Sequence, residues 1–348
     1  MTLELRPDFE AVAANWDRFW LQRGLDRPMI MCRVPRGKPI AHPPAGDLLD
    51  SDVDLCVDNQ LRWLRSFEWL GDSIPACMPQ FGPDHFAALL GAHLHVNADS
   101  RATVWTEPCI ADWDDFEIRV QWEGHWWQRT EMMLRRFRER CEGICMVSPP
   151  NLQGGLDCLA ALRGVEPLAL DLALEPEKVV RALETVNACF TEVKNRLAEI
   201  CDVAKVGSVN RHLFYHRGQV GIPQCDFSCL IGEEMFRDLA LPSIRFEAAS
   251  FDESEYHLDG PGAIRHLDAV ASIPEISVIQ WQPGFKDMDR DWSDLYRKID
   301  DLGKGAYLFT GPEPLRRLRD ANRNRMLCCE LRVANRREAD AVLAEFGL

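Results

Sequence analysis

Residues 254–284 read SEYHLDGPGAIRHLDAVASIPEISVIQWQPG. Two apolar runs of strand length, Ser254–Leu258 and Ile276–Trp281, flank a helical stretch that begins near Pro261. The unit recurs downstream. Strands at Ala306–Thr310 and Met326–Val333 follow, with helices starting near Trp292, Pro312 and Arg336. Asn335, three residues before Glu338, is a capping-box-like start for the last helix. Working upstream, Met29–Val34, Ile144–Ser148 and Val203–Val209 read as further strands. A helix from about Pro176 to Ile200 carries Val179, Val180, Leu183, Val186, Phe190, Val193 and Leu197 at spacings of one, three and four. Another, from about Glu233 to Ser250, contains Pro242, which should kink it. Repeated strand–helix units imply parallel strands joined by crossover helices. Seven candidate strands predict an α/β fold, a (β/α)8 TIM barrel with an N-terminal elaboration, with a doubly wound open sheet as the alternative. No G-x-G-x-x-G follows a strand, and Gly303-Lys304-Gly305 precedes one, so neither cradles a dinucleotide.

The chain has 348 residues, which fits one barrel-sized domain over 1–348. Forty basic against 55 acidic side chains leave a formal charge of −15, which argues against a nucleic-acid partner. No uncharged apolar run reaches the roughly 18 residues of a membrane span, and the first residues lack a signal-peptide pattern. Thirteen cysteines without framework spacing fit a reducing cytoplasm, with most thiols packed as small hydrophobes. Nine of the 11 tryptophans precede residue 128. Residues 1–140 read as irregular, broken by Pro and Gly, contributing the first strand and a Trp-rich lid or cavity wall.

In a parallel barrel, chemistry sits at the C-terminal strand ends. There, the period of two places His257 and Asp259 on one face, and Cys328, Glu330 and Arg332 on another. Gln280, Trp281 and Gln282 end the Ile276 strand. The most polar loop is Asn210-Arg211-His212-Leu213-Phe214-Tyr215-His216-Arg217, which runs on into Gln224-Cys225-Asp226. Cys225 and Cys229, like Cys141 and Cys145, have three residues between them rather than the two of a common zinc knuckle, so packing thiols are the plainer reading of both pairs.

Several blocks together resemble the uroporphyrinogen decarboxylase-like superfamily: Asp226–Phe236, Leu241-Pro242, Tyr256-His-Leu-Asp-Gly-Pro-Gly262, His266-Leu-Asp268 and Ile279-Gln-Trp-Gln-Pro-Gly284. Leu152-Gln-Gly-Gly-Leu-Asp157 and Leu162-Arg-Gly164 fit the same pattern upstream. The resemblance implies a (β/α)8 barrel with its site in the mouth, and a dimer. It also implies one of two chemistries: cofactor-free decarboxylation of a porphyrinogen, or methyl transfer between a corrinoid and an acceptor, often with zinc. The arginine-rich segment by which the decarboxylases grip substrate carboxylates has no counterpart here, and the −15 charge disfavours a polycarboxylate. In the methyltransferases, zinc is held by His-x-Cys and a later Cys. Here the first motif reads His257-Leu258-Asp259, and Cys328 or Glu330 is the candidate third ligand.

The leading expectation is therefore a metal-assisted methyltransferase acting with a corrinoid or corrinoid-binding protein. Zinc would be held by His257, Asp259 and Glu330 or Cys328. Asp226, Tyr256 and Gln280 would be catalytic, and Asn210, Arg211, His212, Tyr215 and Trp281 would contact substrate. A carboxy-lyase on a porphyrinogen or smaller acid is the alternative, with Asp72 or Asp226 stabilising a cationic intermediate and Arg211 or Arg217 binding a carboxylate. A non-catalytic small-molecule-binding barrel is the third.

Overall fold

A computed structural model describes residues 1–96, 98–99, 101–102, 104–288, 290–321 and 326–348. Seven strands form a central sheet. In chain order they are β1 (Met29–Pro35), β2 (Phe67–Gly71), β3 (Val220–Gly221), β4 (Glu253–Asp259), β5 (Ile276–Gln282), β6 (Gly305–Thr310) and β7 (Leu327–Leu331). Their spatial order is β2-β1-β7-β6-β5-β4-β3, parallel except for the antiparallel β1–β2 pair.

The closed eightfold barrel is not formed. The sheet curls into a half-barrel and ends in two edges, β2 and β3. Beyond this sheet, among the described residues, His93–Val96 and Val104–Glu107 form a separate antiparallel pair, while Ala76–Cys77 pairs with Met146–Val147 and Ser208–Val209 with Tyr215–His216, each over two residues. The stretch 203–209 shows why. Val203–Val206 coils into a helical turn and Gly207, at φ 79°, reverses the chain, so little ladder remains. Serine side chains replace ladder partners there. Ser148 Oγ accepts from Val209 N at 2.8 Å, and Ser208 Oγ accepts from Val220 N at 3.0 Å. Ser73 Oγ accepts from Cys32 N at 2.7 Å and donates to Cys32 O at 2.9 Å.

The period of two divides the buried residues between two cores. Met29, Met31, Val278, Tyr307 and Cys328 face inward, while Ile30, Cys32, Ile279, Trp281 and Leu308 face the helices. The long helix spans Pro176–Ile200, as its periodicity predicts. Pro242 is absorbed by a π-helical turn, Phe236–Ala240, between Glu233–Met235 and Leu241–Ala249. Asn335 accepts from Glu338 N at 3.0 Å, and Glu338 accepts from Ala334 N at 2.6 Å, capping the last helix.

The first 140 residues are more regular than their sequence suggests, with helices at Phe9–Leu21, Val53–Arg65 and, reaching just beyond that stretch, His125–Cys141. The first of these closes the N-terminal end of the sheet. Trp16 and Trp20 lie against Phe214, and their indoles donate to Asp72 O and Tyr215 O. These two tryptophans form a floor rather than a lid. Among the described residues, no helix is long and apolar enough to cross a membrane.

Candidate functional site

The C-terminal ends of β4 and β5 carry the chemistry. Parallel pairing sets His257 beside Gln280 and Asp259 beside Gln282. The chain leaving β3 runs on beside β4, with His257 N donating to Pro223 O at 3.1 Å, and this brings Asp226 alongside. Asp226 opens a short 3-10 turn, Asp226–Leu230. Asp157, from the helix Gly155–Arg163, fixes that turn by accepting from the amides of Asp226 and Phe227, both at 2.9 Å. One ligand atom from each of Asp226, His257 and Asp259 lies within 4.8 Å of the others.

The tautomer of His257 follows from its neighbour. Gln280 Nε2 donates to Trp281 O at 3.2 Å, so Gln280 turns its oxygen toward His257 Nδ1. An amide oxygen only accepts, so Nδ1 carries the proton and Nε2 keeps its lone pair. Burial, with Arg211 and His212 adding positive charge, pushes the imidazole pKa down to about 3. His257 is therefore neutral at physiological pH and available as a ligand or base.

Charge at the mouth is unbalanced. Burial and the neighbouring Asp157 and Asp259 push Asp226 up to about 7, although Arg211 and Gln224 pull the other way. Burial likewise pushes Asp157 up to about 6. Arg211 bonds Gln224 Oε1 at 2.8 Å and stands among Glu255, Asp226, Asp259 and Asp157. Asn210 Nδ2 and His212 Nδ1 donate to Glu255 Oε1 at 2.7 and 3.0 Å, while Glu255 Oε2 is buried without a partner. His212 stacks on Tyr307, with ring centroids 5.4 Å apart. A cleft of about 480 Å³ lined by Asp84, Gln153, Asp157, Asp226 and Phe227 opens beside this group.

The structure therefore gathers Asp226, His257, Asp259, Gln280, Asn210, Arg211 and His212. Four other candidates lie elsewhere, and Glu330 lies outside the carboxylate–imidazole group. Tyr256 and Trp281 are displaced by the same period of two that aligns His257 and Asp259. Both point into the helix-facing core, and Trp281 packs on Trp292 at 4.9 Å. Tyr215 is in the floor, donating to Val206 O at 3.2 Å and packed on Phe9. Cys328 and Glu330 lie on β7, three strands from β4. Cys328 is fully buried among Met29, Met31 and Tyr307. Glu330 is held by Tyr307 Oη at 3.2 Å and Arg33 at 3.1 Å, so neither completes a ligand set with His257. Asp72 is fully committed to Arg27 and Asn15, and Arg217 forms surface ion pairs with Asp17 and Glu10.

Sequence reasoning missed Glu255 and Asp157. Glu255 was within reach, since it continues the inward series 255, 257, 259. Asp157 acts through backbone contacts across 69 residues, and no spacing announces that.

No protein family and no curated protein matches the sequence. In fold, the chain is similar to a methyltransferase from Methanosarcina mazei, with a TM-score of 0.63 and 11% identity over 99% of this chain and 100% of that one. Identity this low speaks for a shared fold.

Proposed function

We propose that this protein is a metal-assisted methyltransferase that exchanges a methyl group with a corrinoid, free or carried by a partner protein. The observation that carries the reading is the Asp226–His257–Asp259 group at the strand ends of a fold shared with a methyltransferase. The donor chemistry fits zinc, which accepts imidazole nitrogen and carboxylate oxygen. When bound, zinc would act as a Lewis acid on the heteroatom that carries or accepts the methyl group. Two carboxylates make such a site less thiophilic than a thiolate one, so an oxygen or amine substrate suits it better than a thiol.

The chain's own residues supply the rest. Gln280 holds the proton on His257 Nδ1 and so presents Nε2. Asp157 fixes the turn that carries Asp226. Arg211 offsets carboxylate charge and can hold an anionic part of the substrate. Asp226, with its pKa raised to about 7, can take or release a proton near neutrality when no metal claims it.

The test is zinc content by elemental analysis of protein purified without a histidine tag, together with methyl transfer from methylcobalamin to amine, hydroxyl and thiol acceptors. Activity is followed by the colour change of the corrinoid. His257→Ala is expected to lose both zinc at this group and activity. Methyl transfer that survives intact in His257→Ala would sink the metal-assisted mechanism. Carbon dioxide release from a porphyrinogen would instead establish the carboxy-lyase.

A further inference from the structure

The open side of the sheet carries a second cluster of ligand-type side chains, and it contains no oxygen or nitrogen donor. Cys77 Sγ lies 3.8 Å from Cys141 Sγ and 3.7 Å from Cys145 Sγ, and all three lie within 4.8 Å of one another. All three are buried and none is in a disulfide. A pair of cysteines with three residues between them reads as packing thiols, but a third thiol arriving from a different strand changes that reading.

The geometry matches a specific chemistry. Zinc–thiolate bonds of about 2.3 Å at a tetrahedral angle place the sulfurs about 3.8 Å apart. The local fold brings the ligands together without distortion. Cys141 ends the helix His125–Cys141, and Cys145 precedes the strand Met146–Val147. Gly143, at φ 70°, lets the chain turn between them. Cys77 comes from the parallel partner of that strand, 64 residues before Cys141. The N-terminal segment clasps the same turn, with Glu4 N donating to Gly143 O at 2.7 Å and Leu5 N to Ile144 O at 3.1 Å. Arg65 and Arg140 place positive charge near Cys141. A cleft of about 840 Å³, lined in part by Cys141, Glu142, Gly143 and Cys145, leads in from solvent.

We infer that Cys77, Cys141 and Cys145 form a structural zinc site that staples the open side of the sheet, separate from the group at the mouth. Each thiol releases its proton to solvent as its sulfur binds, and the fourth position is left for water or a group from the cleft. The site lies where the ladder is shortest, two residues per strand, so a cross-link there adds what the backbone lacks.

X-ray absorption of zinc-loaded protein, purified without a tag, tests this. Sulfur neighbours at about 2.3 Å are expected. Cobalt in place of zinc is expected to give strong sulfur-to-metal charge-transfer absorption. The Asp226–His257–Asp259 group contains no sulfur and gives neither signal, so failure at one site is distinguishable from failure at the other. Cys77→Ser and Cys145→Ser are expected to abolish the sulfur signal, and chelation is expected to lower Tm more in the wild type than in those variants, which keep the mouth site alone. Should the variants not fold, the wild-type cobalt spectrum still decides. A metal environment without sulfur, or alkylation of these thiols at the same rate with and without zinc, overturns the inference.

Discussion

The two ends of the strand layer treat polar groups in opposite ways. At the N-terminal end, Asp72 is completely buried and saturated. Its oxygens accept from Arg27 at 2.6 and 2.9 Å, from Ile30 N at 2.9 Å and from Asn15 at 3.0 Å. Arg23 likewise bonds both Glu253 and Ser277, where β4 and β5 begin. At the C-terminal end, Arg211 stands among four carboxylates, and all three aspartates there are pushed up, Asp226 and Asp157 to about 7 and about 6. The floor has spent its polar groups on holding the chain together. The mouth keeps unbalanced charge, which is where a cation or substrate gains affinity.

The largest expected effect breaks or upholds this contrast directly. Removing one partner of a buried ion pair leaves the other uncompensated, so Asp72→Ala is expected to lose about 3–5 kcal/mol in urea unfolding. Asp226→Ala is expected to hold or raise the unfolding midpoint of metal-free protein while weakening metal binding, because it removes a carboxylate that its neighbours oppose. A larger stability loss at Asp226 than at Asp72 would reverse the assignment of the two ends.

A smaller effect is expected at Gln280, which orients His257 without belonging to the group itself. Losing such a support costs about 10–100-fold in metal affinity. Gln280→Leu is therefore expected to weaken zinc binding at the mouth by that factor in competitive chelator titration. The sulfur signal of the Cys77 cluster should not move. Gln280→Glu can still accept from Nδ1 and is expected to restore most of the affinity. Equal losses in the two variants would mean that Gln280 acts through packing.

The same contrast explains what the sequence could disclose. β5 to β7 were legible as compact, mostly apolar runs bounded by turn residues, and β4 as a run of strand length in step with them. The stretches 144–148 and 203–209 also look like strands, but their ladders stop after two residues, because Ser148 and Ser208 take over the bonding. That is a tertiary decision with no local pattern. At the site, the period of two finds His257 and Asp259, and the same rule, applied consistently, excludes Tyr256 and includes Glu255. The polar loop 210–212 was legible by composition. Tyr215, in the same run, was not separable from it, because Gly207 and the turn at Leu213 (φ 68°) send it down to the floor. The third thiol of the cysteine cluster was hidden for a similar reason, since Cys77 reaches Cys141 and Cys145 only through strand pairing.

The smallest expected effect concerns two histidines that share a pKa near 3 but not a fate. His85 is buried, stacked on Phe81, and fully bonded. Phe81 N donates to Nδ1 at 3.4 Å, and Thr130 donates its hydroxyl proton to Trp126 O at 2.7 Å. Thr130 Oγ1 must therefore accept from His85 Nε2, 2.8 Å away, and the ring is neutral. A folded pKa of about 3 lies below the unfolded value of about 6.5. Its stability contribution is thus full above about pH 6.5 and is lost as pH falls toward 3, by at most about 1.4 kcal/mol per pH unit. Asp226 has the opposite sign. Its folded pKa, raised to about 7 from an unfolded value of about 3.9, makes metal-free stability fall as pH rises from about 4 to about 7 and level off above that. Urea midpoints across pH 4–8 on metal-free protein separate them. The two contributions run in opposite directions over nearly the same window, so His85→Gln is expected to make the midpoint rise less with pH between about 4 and 6.5, and Asp226→Asn to make it rise more. Zinc should remove the falling contribution of Asp226 and leave the rising contribution of His85, because, of these two histidines, it is His257, at the mouth, that keeps a lone pair a metal can reach.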